Sequence, residues 1–283
     1  MLSYIHAYHA GNHADILKHI TISLIIEQMK NKEKPFTVLD THAGSGIYDM
    51  NDERLLKTGE CEIDSFLSFV ENNAGKCPDF LKSYISIVKK YRERNMYPGS
   101  PLIESELIRK QDVQILSELH PAAIEELRKN AENFPHKAKI HKRDGYEMAL
   151  SLTPPETKRG ICIIDPSFED KEDFSECAET IARIHKKWSG GIIALWYPLV
   201  SHRVMEISMM KERISAAVDE SEPKILDIQF EKKNPAEMTG LASLYGSGML
   251  IVNFPYKLDE KMEEILPLLQ HALGGVNFST AKM

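Results

Sequence analysis

Val38-Leu39-Asp40 is an apolar run ending in an acid, and Thr41-His42-Ala43-Gly44-Ser45-Gly46 follows at once. Such a turn lies outside the carboxyl end of a strand, where open α/β sheets bind ligands, and glycine lets the backbone approach a bound molecule closely. Asp49 occupies the place of the third glycine in G-x-G-x-x-G, so the dinucleotide pattern is not met. Alone, the run reads either as a ligand-binding turn around Gly44 or as a plain structural turn. Three further apolar runs have acids at their ends: Glu118, then Asp144-Gly145, then Asp165-Pro166. In a doubly wound sheet these ends line one edge. Glu118, closing the second run, suits hydrogen bonds from both hydroxyls of a ribose. Asp144 by itself reads as a helix N-cap, but four successive acids are harder to ascribe to caps. No Gly-Lys-Ser/Thr is present to hold a triphosphate. The acid-lined crevice suits a cationic nucleoside such as S-adenosylmethionine better than a polyphosphate.

Tyr4, His6, His9, His13, Lys18 and His19 crowd the first nineteen residues. His6, His9 and His13 could ligate a metal, but no acid stands at a familiar hydrolase spacing, and no metal centre is expected. Equally, a helix from Asn12 or His13, with Ile16, Ile20, Leu24 and Ile26 partly buried, would leave Lys18 and His19 as ordinary surface residues.

The elements that must position these groups alternate strand and helix, the signature of a largely parallel α/β sheet. Strands are predicted at 36–40, 113–118, 138–142, 160–165, 192–197, 224–230 and 249–254. Most are continuously apolar, as strands covered on both faces should be. Phe174, Cys177, Ile181, Ile184 and Trp188 share one helical face, and Met262, Ile265, Leu266 and Leu269 another. The first connection is too long for a simple crossover. Ile63, Phe66, Leu67 and Val70, then Leu81, Tyr84, Ile85 and Val88, mark two amphipathic helices there, so residues 50–96 read as a small helical insertion. The link 231–248 has no helical period and fits an antiparallel connection.

Lys and Arg number 35 against 42 Asp and Glu, a formal charge of −7, so any nucleic-acid contact must be a local basic patch. Lys137, Lys139, Lys142 and Arg143, and separately Lys186-Lys187, are the main basic clusters; each reads as a solvated face or as such a patch. The longest nearly apolar stretch, 190–200, is far short of the roughly 18–20 residues that span a bilayer. Charged and histidine side chains stand where a secretion signal would need an apolar core. The four cysteines are widely spaced without a C-x-x-C. Membrane proteins, disulfide scaffolds and zinc ribbons are disfavoured, and a cytoplasmic protein is expected.

The turn Asp165-Pro166-Ser167-Phe168 is similar to the [Asp/Asn/Ser]-Pro-Pro-[Tyr/Phe/Trp] motif of methyltransferases acting on exocyclic amino groups of nucleic-acid bases. A closer resemblance rests on the opening block from Met1 to Asp15 and on Leu17-Lys18-His19, Leu39-Asp40-Thr41-His42-Ala43-Gly44 and Tyr97-Pro98-Gly99-Ser100-Pro101. Glu118-Leu119-His120-Pro121 and Ala194-Leu195-Trp196-Tyr197-Pro198 extend it. Taken in order, these resemble the bacterial 23S ribosomal RNA adenine-N6 methyltransferase J family, whose members are also annotated for catabolism of external DNA.

The resemblance implies a Rossmann-like class I S-adenosylmethionine-dependent methyltransferase, 1–283 forming one domain with a mostly parallel seven-stranded sheet. It implies a catalytic set of Asp165, Pro166, Phe168, His6 and Lys18. Cofactor contacts fall to His19, His42, Gly44, Ser100, Glu118, Asp144, Gly145 and Asp165, and RNA contacts to Tyr4 and Phe168. Ser100 before Pro101 also reads as an N-cap with Pro at N1. Two departures stand out: Ser167 replaces the second proline, removing one fixed φ, and Ile5 stands where the family often has Arg. The expected substrate is 23S rRNA, naked or in early assembly, and the expected state a monomer. A DNA adenine-N6 methyltransferase and a non-enzymatic nucleic-acid binding or uptake protein are the rival readings; a nicotinamide oxidoreductase is more distant.

Overall fold

The computed structural model describes residues 9–59, 61–218, 224–234 and 244–283. Its first element, α1 (His13–Lys30), is capped by Asn12, whose side chain accepts from the backbone N–H groups of Ala14 and Asp15. Apolar residues surround this helix, as its Ile-Thr-Ile-Ser-Leu-Ile-Ile run requires, so it is buried on every side for most of its length. Strand β1 (Thr37–Asp40) follows, then the short β2 (Ile47–Asp49). Helices α2 (Glu53–Thr58), α3 (Ile63–Asn72) and α4 (Lys82–Arg92) come next, and β3 (Met96–Pro98) returns to pair antiparallel with β2. The two amphipathic helices therefore form where the periodicity places them, and Phe66 and Val88 on their apolar faces are buried.

The rest of the chain alternates as expected: α5 (Ser100–Leu107), β4 (Val113–Ser117), α6 (Pro121–Ala131), β5 (Lys139–His141), α7 (Gly145–Leu152) and β6 (Gly160–Ile164). Then come α8 (Glu172–Lys187), β7 (Ile192–Val200), α9 (Val204–Ala217), β8 (Ile225–Glu231), β9 (Leu244–Val252), α10 (Leu258–Leu273) and β10 (Asn277–Lys282). The main sheet runs β10-β8-β9-β7-β6-β1-β4-β5. Pairings from β5 to β7 are parallel and those of β9 with β7 and β8, and of β8 with β10, antiparallel. This is the Rossmann-like order, with its switch point between β1 and β6.

All seven expected strands are present, but the sheet expected to hold seven strands holds eight, and β2 and β3 pair apart from it. The addition, β10, is an edge strand of largely exposed polar residues that carries no apolar run to reveal it. Side chains alternate across the sheet: Val38, Ile161 and Ile163 join a core with α1, α3, α4, α5 and α10, while Leu39, Cys162 and Ile164 join one with α7, α8 and α9. The described residues contain no helix long and apolar enough to cross a membrane.

Candidate active site

The carboxyl ends of β1, β4 and β6 open on a cavity of about 480 Å³, whose walls include α1 and the first turns of α5, α6 and α7. Gly44, at φ +60°, turns the chain after β1, and its N–H donates to Glu118 Oε2 at 2.8 Å. The other Glu118 oxygen accepts from the His120 N–H at 2.7 Å. Glu118 thus staples the glycine turn to the end of β4 and still has lone pairs for a ligand. Asp144 caps α7 through the Glu147 N–H at 2.9 Å and also lines the cavity, so the two readings of that acid coincide.

Gly145 lies against the same turn. A Cβ there would stand 2.3 Å from the Thr41 carbonyl oxygen and 2.8 Å from His42 Cε1. Gly145→Ala is therefore expected to push α7 off the turn, costing about 1–3 kcal/mol in stability and weakening binding of the cofactor product at least about tenfold. Denaturant unfolding and calorimetry check both.

From α1, Lys18 reaches into the cavity floor. Its Nζ lies 2.7 Å from Asp165 Oδ2 and 2.9 Å from Asp15 Oδ1, with Lys18 and Asp15 almost fully buried. Burial opposes the ammonium charge, but the two carboxylates outweigh it and hold the Lys18 pKa well above its ordinary value. The other Asp15 oxygen accepts from the Gly11 N–H at 3.0 Å. His19, one residue on, places Nδ1 2.9 Å from the Tyr97 hydroxyl. Lys18 and His19 as ordinary surface residues are thus corrected: a helix apolar all round has no solvent side at this level.

Asp165 follows β6, its backbone N 3.4 Å from His42 Nδ1, so the acid of the Asp-Pro-Ser-Phe turn and the glycine turn face the same space. Burial lowers the His42 pKa against the pull of Asp165, Glu118 and Asp144. Pro166 is buried, and Phe168 sits at φ +52°, a left-handed conformation that costs a bulky side chain energy. Its ring centroid is 4.7 Å from Phe174 and 5.9 Å from Trp196, which β7 brings to the cavity wall. Ser167 is exposed; its Oγ accepts a long 3.5 Å bond from the Glu169 N–H.

Ser100 also differs from expectation. Gly99 is the N-cap of α5, and Ser100, the first helical residue, donates its hydroxyl to Asp40 Oδ2 at 2.7 Å. Tyr4, His6 and Ile5 lie outside the described residues. Of the histidines proposed as metal ligands, His13 has Nδ1 3.2 Å from Glu62, and His6 is again outside them. Neither basic cluster lines the cavity; Arg143 pairs with Glu147, and Lys187 donates to the Leu150 carbonyl. Sequence reasoning passed over Asp15, although its i, i+3 spacing from Lys18 was a usable signal, and Glu104, which nothing but the fold brings beside Asp40.

Among the described residues, seven carboxylate residues line the cavity against three Lys or Arg residues, Lys18, Arg54 and Arg203, each paired with a carboxylate. That donor set fits a cationic nucleoside with ribose hydroxyls and leaves no free cation for a polyphosphate among the described residues.

Comparison with known proteins agrees. A family model described as Ribosomal RNA large subunit methyltransferase D, RlmJ, matches residues 33–281. Ribosomal RNA large subunit methyltransferase J of Escherichia coli (strain K12) is 38% identical over 280 residues, 96% of this chain and 94% of that protein. Its namesake from Haemophilus influenzae is 35% identical over 278 residues, with the same coverage. A crystal structure of a Legionella pneumophila protein superposes with a TM-score of 0.85 at 29% identity, covering 97% of this chain and 98% of that one. With its glycine turn, acid-rimmed crevice and Asp-Pro-Ser-Phe turn on one sheet edge, the chain belongs to the RlmJ family of ribosomal RNA large subunit methyltransferases.

Proposed function

We propose that this protein is an S-adenosylmethionine-dependent ribosomal RNA methyltransferase whose target is N6 of an adenine in 23S rRNA. The observation that carries the reading is the Lys18–Asp165 pair at 2.7 Å, which holds the acid of the Asp-Pro-Ser-Phe turn at the glycine-turn crevice. His19, His42, Gly44, Ser100, Glu118, Asp144, Gly145 and Asp165 would hold the cofactor. Bound there, S-adenosylmethionine supplies an electrophilic methyl on a sulfonium.

The adenine N6 lone pair is delocalised into the ring, which makes the amine a poor nucleophile. An Asp165 carboxylate oxygen and the Pro166 carbonyl can each accept one N6–H, orienting the nitrogen and favouring the positive charge that develops on it. Lys18 engages Asp165 Oδ2 and so leaves Oδ1 for that role. Phe168, strained at positive φ and backed by Phe174 and Trp196, would stack on a base extruded from the RNA. The strain is a reason to read this turn as functional despite Ser167. By family resemblance, Tyr4 contacts RNA and His6 assists catalysis. Residues 1–283 act as one monomeric methyltransferase domain in the cytoplasm, residues 50–96 forming its helical insertion, on naked or early-assembly RNA.

Purified protein with labelled cofactor, offered naked 23S rRNA fragments and matched DNA hairpins, tests the target. Mass spectrometry should find N6-methyladenine in RNA. Methylation confined to DNA, or none with cofactor bound, would overturn the substrate.

A further inference from the structure

Behind the cavity wall lies a second pair of acids that the mechanism does not use. Asp40 and Glu104 are both fully buried. Asp40 ends β1, where it accepts from the His42 N–H at 3.1 Å and the Ser100 hydroxyl at 2.7 Å. Glu104 stands one turn along α5 from Ser100, on the same face, and accepts from Gln114 Nε2 of β4 at 2.9 Å. That amide nitrogen also donates to the Pro101 carbonyl at 2.7 Å. The two carboxyl groups adjoin within hydrogen-bonding reach, Glu104 Oε1 has no other partner among the described residues, and neither acid forms an ion pair with a described residue. Asp165, just past the end of β6, adds a further negative charge near Asp40, and burial lowers the pKa of the neighbouring His42 ring.

Ionised carboxylates only accept, so a hydrogen bond between two carboxyls needs a proton on one of them. A doubly charged buried pair without a cation is strongly disfavoured. Burial and the neighbouring Asp40 push Glu104 well above the carboxylate range. Burial also raises Asp40, to about 6, against the bonds from Ser100 and His42, which favour its charged form. The proton therefore resides on Glu104, the acid with one donor against Asp40's two.

We infer that Glu104 is a positioning residue for the cofactor: its carboxylic proton is donated to Asp40, which thereby remains an acceptor for Ser100 and the His42 amide. The consequence is a directed site. Ser100 has one hydroxyl proton and gives it to Asp40, so its oxygen meets a ligand as an acceptor only and selects an ammonium or hydroxyl donor. The inference rests on reading the cavity as the S-adenosylmethionine site.

The test uses the full chain, S-adenosylhomocysteine as the binding probe, and three proteins: wild type, Glu104→Gln and Glu104→Met. Glutamine reproduces the protonated acid, one N–H for Asp40 and one oxygen for Gln114, and should bind the probe within about threefold of wild type. Methionine keeps the bulk without the donor and should bind at least about tenfold more weakly, raising KM for the cofactor more than it lowers kcat. Independently of whether the methionine variant folds, infrared spectra at pH 7 should show a protonated carboxylic-acid C=O band in wild type that Glu104→Gln removes. Wild-type affinity in the methionine variant, equal losses in both variants, or no such band would each overturn the inference. If wild type itself gives no heat with the probe, the cofactor reading fails instead.

Discussion

Asp165→Ala is expected to lower kcat for methyl transfer by about 10²–10³-fold, the cost of removing one preorganised hydrogen-bonding group from a charge-developing transition state. The fold should survive, because Lys18 keeps Asp15 at 2.9 Å and no buried charge is left unpaired. Asp165→Asn should fall between: its amide oxygen can still accept one N6–H, but the negative charge facing the developing cation is gone. Single-turnover kinetics at saturating cofactor separate this loss from weakened binding. A methylation rate in Asp165→Ala close to wild type would remove the turn from the chemistry.

The second large effect is expected from Lys18→Met, and here stability falls as well as activity. The ammonium is shared by Asp15, nearly fully buried, and by the partly buried Asp165. Removing it takes the ammonium from between two acids, leaving Asp15 with the Gly11 N–H at 3.0 Å and the His19 ring at 3.9 Å, and breaking such a pair costs about 3–5 kcal/mol, or roughly 6–20 °C in Tm. The pH dependence has a definite sign. Without the lysine, a buried acid that must be neutral has a folded-state pKa above its unfolded one. The destabilisation then shrinks as pH falls towards the unfolded value and grows as pH rises through the folded one. Thermal unfolding of wild type and variant between pH 4.5 and 8 should show the two curves converging on the acid side. Parallel curves would mean that the lysine is not balancing these acids.

Much of this is legible in the sequence itself. The parallel strands announce themselves because both faces are covered, so Ile161-Cys162-Ile163-Ile164 has no polar interruption, and the acids at strand ends follow from strand order. Strand β9 was half-hidden. Gly246 and Gly248 make its first half look like loop, yet they are needed there because the Tyr197 ring and the Phe230 carbonyl pass too close for any Cβ. Lys18 and Glu104 were harder. Local sequence shows a charge on a helix but not what docks on that helix; Lys18 meets Asp165 only through tertiary packing, and a charge reads as solvent-facing until its partner is known. The first helical residue of α5 was misread for a related reason: serine before proline is a sound local signal for a cap, and it was overridden by an acid sixty positions upstream.

The all-round burial of α1 bears on how the protein is made. Its neighbours are α4 and α5, but also β9 and α10, which leave the ribosome only after the whole parallel part of the sheet. Until then a greasy helix carrying a lysine and an aspartate destined for the interior has nowhere to settle, and closing so long a span is slow. Prematurely terminated products lacking β9 should therefore be sticky and inert even though the glycine turn and the Asp-Pro-Ser-Phe turn have both been translated.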